Sequence, residues 1–154
     1  MTKSVLTEAK ATDREVLELI ARHREFCVAH TPPESVHAVA PDEVRDEDVR
    51  YWLARVDGRA IGCIGLRAIE PGHGEIKTLH VRPEARGSGV GARLVNGLLA
   101  IARDEGVSRV SLETGGSDGF APARALYRRL GFAPCAAFGP YAGDPFSYCM
   151  TREI

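Results

Sequence analysis

The chain predicts a mixed α/β domain of the α+β type, with helices covering a central, mostly antiparallel sheet that contains a bulged central strand. Three observations carry that reading. Asp57-Gly58 lies between two apolar runs, residues 49–56 and 60–69, the short-range signature of a β-hairpin. Residues 75–81 change parity: Ile76 and Thr78 share one face, whereas Leu79 and Val81 share the other. A bulge near Thr78 or Leu79 reconciles this by inserting one residue, and burial on both faces accounts for the same pattern. A glycine-rich turn, Arg86-Gly87-Ser88-Gly89-Val90-Gly91, then follows an apolar strand and opens a stretch where Val90, Leu94, Leu98 and Ala102 recur at helical spacing. At 154 residues and 44% hydrophobic, the chain reads as a single domain over 1–154 with a substantial core.

The elements follow in order. Residues 4–9 read as a first strand, and Thr12 with Glu15 forms a capping-box signature before an amphipathic helix that buries Val16, Leu17, Leu19, Ile20 and Phe26. Pro32 and Pro33 stop that helix, leaving 31–41 as a loop with a short helix after Pro41. Beyond the hairpin and the strand 75–81, a helix over 91–105 ends at Gly106. Residues 109–114 alternate as a half-buried strand, with Val110, Leu112 and Thr114 on one face and Ser111 and Glu113 on the other. Residues 115–119 form a flexible loop, and Ala123, Leu126, Tyr127 and Leu130 mark one helical face that stops at Gly131. Residues 134–138 and 146–151 supply the last strands, joined by a Gly-Pro-Tyr-Ala-Gly-Asp-Pro loop.

Composition excludes several classes. Twenty basic and twenty-one acidic residues leave a formal charge of −1, so no global field recruits nucleic acid or an acidic membrane. Arg124, Arg128 and Arg129 on one helix read as a solvated face. Cys27, Cys63, Cys135 and Cys149 are dispersed, without metal-ligand spacing and with no secretory leader ahead of them. They read as reduced core thiols of a cytoplasmic protein with no metal. No uncharged apolar stretch is long enough to span a bilayer.

The glycine turn carries the functional signal. Glycines at 87, 89 and 91 let the main chain approach an anion closely, and the first amides of the following helix, with its dipole, favour negative charge. The lysine-bearing P-loop pattern fails, because nothing equivalent to Gly-Lys-Ser/Thr follows Gly91. The dinucleotide fingerprint lacks its final glycine, with Arg93 and Leu94 where it would fall.

These residues resemble the GNAT superfamily of acyl-CoA-dependent N-acyltransferases. Its cofactor motif, Arg/Gln-x-x-Gly-x-Gly/Ala, is matched by Arg86, Gly89 and Gly91. The segment from Ala123 to Phe132 is similar to the family helix that carries a tyrosine and ends at Gly-Phe. The resemblance covers about residues 50–135. It implies acetyl-CoA as co-substrate and direct attack by a primary amine of a small molecule or peptide in a ternary complex, so none of the cysteines needs a nucleophilic role. It implies that the backbone of Leu79, His80 and Val81 pairs with pantetheine, and that Arg86, Gly87, Ser88, Gly89, Val90, Gly91 and Ala92 hold the pyrophosphate. Tyr127 takes the place of the acid that protonates the leaving thiolate, although a core aromatic fits the same pattern.

Glu75 matches the general base of the histone-acetylating branch, and Glu113 is the second candidate. An exposed or salt-bridged glutamate accounts for either. His73 and His80 titrate in a suitable range but sit at strand edges. The family places its acceptor pocket in the region of Glu34, Ser35 and His37, where mixed charges with Asp42 and Asp144 suit a cationic amine. One departure stands out: many members carry asparagine where this chain has Phe120, so the pantetheine bond there is lost or passes to Ser117 or Asp118. Exposed late strands in this fold often pair across a dimer, which leaves a homodimer open. A non-catalytic acyl-CoA-binding module is the alternative to an enzyme.

Overall fold

The structure is a computed structural model that describes residues 5–154. Its elements run β1 (Val5–Ala9), α1 (Arg14–His30), β2 (Arg50–Val56), β3 (Arg59–Glu70), β4 (His73–Val81), α2 (Val90–Asp104), β5 (Arg109–Gly115), α3 (Ala121–Arg129), β6 (Ala133–Pro134) and β7 (Ser147–Glu153). The strands form one sheet in the order β1-β2-β3-β4-β5-β7-β6. Every neighbouring pair is antiparallel except β4 with β5. Ser4, the first residue of the expected opening strand, lies outside the described residues.

Strand alternation sorts the side chains into two cores. Trp52 and Ala54 of β2 face α2 and α3, joining Ile64, Ile76, Leu94, Leu98, Leu112 and Met150. Tyr51 and Leu53 face α1, joining Val16, Leu19, Ile20 and Cys63. Each fully buried aliphatic side chain in these clusters contributes about 1.5–3 kcal/mol by leaving water. α1 therefore covers one face of the sheet, and α2 with α3 the other.

The hairpin forms at Asp57 and Gly58, whose φ angles of 51° and 80° are the paired positive values of a type I′ turn. The bulge forms as well. Cys63 pairs with His80 and Gly65 with Lys77, so β4 spends one residue more than β3 between the two pairs. The strain falls on Thr78, with φ 53°, which is buried and whose hydroxyl lies 3.1 Å from the Tyr51 hydroxyl. The extra residue turns the parity over: Ile76, Leu79 and Val81 all pack toward α2, while His80 is turned toward α1.

Three expectations need correction. The capping box does not form: α1 is N-capped by Asp13 without a side-chain bond. Thr12 instead gives both its amide and its hydroxyl to Asp46, at 2.9 and 2.8 Å, and Glu15 pairs with Arg55 at 2.7 Å. Along the same helix Leu17 and Phe26 are only half-buried, and Cys27 completes the buried stripe. The expected strand 134–138 shrinks to Ala133–Pro134, because Pro134 has no N–H to extend the ladder; Cys135 donates one further bond to the Cys149 carbonyl at 3.0 Å.

One feature of the sheet positions everything that follows. The parallel pairing of β4 and β5 runs from His73 with Arg109 to Ile76 with Leu112 and stops there. β4 continues alongside β3 to Val81, and β5 alongside β7 to Gly115. The two strands splay, and a cleft opens between them.

Candidate active site

The cleft encloses about 530 Å³. At one end lies the glycine turn. Gly87 and Gly89 have φ of 81° and 83°, left-handed values that a Cβ disfavours, and Gly89 is the N-cap of α2. The amides that begin α2 are therefore presented at the cleft's edge, where they suit a phosphate. A Cβ on Gly91 would come within 3.2 Å of Leu126, so this glycine also lets α3 approach α2. The Arg86 Nε donates to the Val81 carbonyl at 3.0 Å, tying the turn back to the end of β4.

Most of the residues expected to hold the cofactor line this cleft: Leu79, His80, Val81, Arg86, Gly87, Gly89, Val90, Gly91, Ala92 and Tyr127. Two do not. The Ser88 hydroxyl donates to the Ala85 carbonyl at 2.5 Å, and the Ser117 hydroxyl to the His30 carbonyl at 2.9 Å. Phe120, at the departure from the family pattern, is buried edge-on to Phe26, with ring centroids 5.5 Å apart. It presses so closely on β5 that a Cβ at Gly115 would meet its ring at 2.3 Å. The geometry thus fits a long thioester cofactor lying between the splayed strands with its phosphates on the α2 N-terminus.

Tyr127 sits in the cleft wall, 5% exposed, with its ring edge-on to Phe132 at 5.6 Å. Its hydroxyl bonds to no described residue, and burial alone pushes its pKa above the ordinary phenol value. It is a protonated donor without an acceptor among the described residues. His80 is held otherwise: its ring lies 5.6 Å from that of His23, and burial first, then Arg86, pushes its pKa down to about 4. It is neutral at neutral pH.

At the other end the charged groups converge. Glu75, only 1% exposed, accepts a 2.5 Å bond from the Tyr141 hydroxyl on Oε2. Arg67 faces its Oε1 at 3.1 Å and Lys77 its Oε2 at 3.6 Å, and Lys77 also donates to the Tyr141 oxygen at 2.9 Å. Glu113 shares this face of the sheet and accepts 2.8 Å from the Ser147 hydroxyl. Burial above all raises its pKa, against the pull of Ser147, His37 and Lys77.

Ser35 and His37 also reach this end, through Asp144: the Ser35 hydroxyl donates to Oδ1 at 3.0 Å, and His37 Nε2 lies 2.8 Å from Oδ2. This ties the 33–39 segment to the late loop. Glu34 is exposed and does not line the cleft. Sequence reasoning missed Tyr141, Lys77 and Arg67. Lys77 had a signal, since it stands two residues from Glu75 on the same strand face; Tyr141 had none beyond being an aromatic in a proline-glycine loop.

The comparisons agree with this geometry. The model of the Acetyltransferase (GNAT) family matches residues 15–132. The chain is 34% identical over 143 residues to the uncharacterized N-acetyltransferase YsnE of Bacillus subtilis, covering 93% of this chain and 95% of that protein. It is 38% identical over 141 residues to the IAA acetyltransferase of Azospirillum brasilense, covering 90% of each. Among solved structures, a candidate acyl-CoA N-acyltransferase from Klebsiella pneumoniae superposes with a TM-score of 0.81 at 30% identity over 97% of both chains. A GNAT acetyltransferase from Elizabethkingia anophelis, solved with acetyl-CoA bound, superposes at 0.74 over 100% of both, at 16% identity.

Fold and cleft define an acyl-CoA-dependent acyltransferase. The chain belongs to the GNAT acetyltransferase family, whose co-substrate is acetyl-CoA. None of these relatives carries a name that points to non-catalytic acyl-CoA binding. Among the described residues no helix is long and apolar enough to cross a membrane.

Proposed function

We propose that the protein acetylates a primary amine of a small molecule or peptide by direct attack in a ternary complex, with Glu113 as the base and Tyr127 as the acid. The observation that carries this is the placement of an ionisable carboxyl and an unbonded phenol in the walls of one cleft. Acetyl-CoA supplies an activated acyl group and a thiolate leaving group. A protonated amine has no lone pair to offer, so the protein must take up its proton.

Glu113 suits that task better than Glu75. A single hydroxyl holds it, and burial moves its affinity for protons toward the working range. The Glu75 carboxylate is instead engaged by a hydrogen bond from Tyr141 and by the charges of Arg67 and Lys77. It organises the acceptor end. Glu113 takes the ammonium proton directly or through water, the freed nitrogen lone pair bonds to the acyl carbon, the carbon–sulfur bond breaks as the Tyr127 proton goes to sulfur, and the second proton leaving nitrogen restores Tyr127.

Release of free thiol from acetyl-CoA in the presence of a panel of amines tests the reading. Tyr127→Phe should lower turnover by about a hundredfold, the lower range for a lost general acid, and change acetyl-CoA affinity little. Unchanged turnover under chemistry-limited conditions refutes the acid role. No thiol release with any amine refutes the amine-acetylating reading.

A further inference from the structure

We infer that the acceptor is a compact zwitterion, a primary amine bearing one carboxylate a few bonds away, and that Arg67 and Lys77 seat the carboxylate. The inference rests on the amine-acetylating reading of the cleft and adds the chemical class of the acceptor. A second cavity of about 720 Å³ adjoins the cleft and shares His37, Ala38, Val39 and Lys77 with it. Arg67 lines this second cavity, with 42% of its side chain exposed.

The ion pairs at the junction are uneven. One carboxylate, Glu75, faces two cations, Arg67 at 3.1 Å and Lys77 at 3.6 Å. Among the described residues no second carboxylate comes within ion-pair distance of either cation, although Glu113 lies near enough to Lys77 to feel its charge. Glu113, on the cleft side, makes no ion pair among the described residues and can receive the amine. Hydrogen bonding is also incomplete: among the described residues the buried Arg67 Nε has no acceptor and Glu75 Oε1 has no hydrogen-bond donor, although Arg67 lies 3.1 Å from it. A buried N–H without an acceptor is costly, and it leaves the guanidinium under-paired beside the second cavity.

The planar guanidinium matches a carboxylate, and Lys77 adds a point charge on the side shared with the cleft. Lys77 and Glu113 stand just beyond the last β4–β5 pair, so the two binding groups are separated by little more than the width of the splay. That spacing selects a short acceptor.

The test uses matched trios: alanine, leucine and phenylalanine, each beside its carboxamide and its decarboxylated amine. Thiol release gives kcat/KM, and calorimetry with coenzyme A present gives binding. The carboxamides carry the less basic amine, so reactivity alone favours them. The inference predicts instead a preference for the acid of about ten- to hundredfold, mostly in KM. Arg67→Met and Lys77→Met should each collapse the acid-to-amide ratio, which is internal to each variant and independent of the folded fraction.

Equal use of acids and amides by the wild type overturns the inference while leaving the acetyltransferase reading intact. A ratio unchanged in both variants overturns it too and leaves Arg67 as a partner of Glu75 alone. If no trio member is acetylated, the calorimetric acid-to-amide ratio decides the inference on its own.

Discussion

Tyr141→Phe removes one oxygen atom from the cluster of charged groups around Glu75 and leaves the ring in place. In the wild type that oxygen donates to Glu75 Oε2 at 2.5 Å and accepts from Lys77 at 2.9 Å. The ring packs edge-on against His37 and Phe138, at 5.1 and 5.2 Å, contacts a phenylalanine keeps. The loss therefore falls on Glu75, a carboxylate 1% exposed whose other oxygen has no hydrogen bond. A hydrogen bond to a charged group is worth about 1.5–3 kcal/mol, and here the deprived group is buried, so about 2–3 kcal/mol of stability should be lost. That is roughly a 30- to 150-fold fall in the folding equilibrium constant, and about 4–12 °C in Tm for a domain of this size. Urea unfolding at neutral pH measures it, with the slope expected to stay constant and the midpoint to fall. Combining Tyr141→Phe with Glu75→Gln should cost less than the sum of the two, since the second change removes the charge that the first leaves stranded. A loss below about 0.5 kcal/mol, or strict additivity, refutes the view that Tyr141 holds a buried anion.

Further outcomes follow from the titrating groups. The Glu113 carboxyl, its pKa raised mainly by burial from an ordinary value of 4.5, contributes stability that is full below that value and lost as pH rises through its folded pKa. Glu113→Gln should therefore be neutral or stabilising in urea at neutral pH while abolishing the rise of activity with pH on the acidic limb; an unchanged limb removes Glu113 as base. The pKa of His80 is lowered by burial to about 4, so the unfolded chain binds its proton first and stability should fall as pH drops from about 6.5 to about 4. His23, beside it and with its pKa lowered by burial to about 3, adds to the same slope, so His80→Gln should reduce the slope without removing it, and an identical slope contradicts the assignment. Thr78 holds φ 53° at the bulge, a conformation that costs a β-branched residue about 1–2 kcal/mol. Thr78→Gly relieves that strain but loses the bond to Tyr51, so a net change within about 1 kcal/mol is expected by thermal unfolding; a loss several times larger means that the hydroxyl pair dominates.

What the sequence made legible was local. Asp57-Gly58 permits the positive φ angles of its turn through its own chemistry, and the parity change at Thr78 and Leu79 records the bulge because side-chain direction along a strand has a period of two. The glycine turn and α2 were readable for the same reason. Local signals failed where a distant residue competed. Thr12 had a cap partner three residues away but took Asp46, 34 residues off. Ser117 had the right hydroxyl for a ligand and spent it on His30, 87 residues back. The clamp of Tyr141 on Glu75 joins residues 66 apart through a loop whose path no periodicity encodes. The contacts that hold Glu75 are therefore visible only in the fold. The point at which β4 and β5 part, after Ile76 and Leu112, is likewise fixed by what each strand pairs with on its far side.

The central claim, that the glycine turn and the splayed strands hold acetyl-CoA, is tested most directly by calorimetric titration of the wild type and Gly89→Glu with acetyl-CoA. At φ 83° the substitution strains the backbone by about 1–2 kcal/mol, which leaves the domain folded, and it sets a carboxylate at the α2 N-terminus where the phosphates are expected. The account predicts micromolar binding by the wild type and loss of binding by a variant whose circular dichroism is native. Equal binding by the two proteins, or none by the wild type, contradicts it.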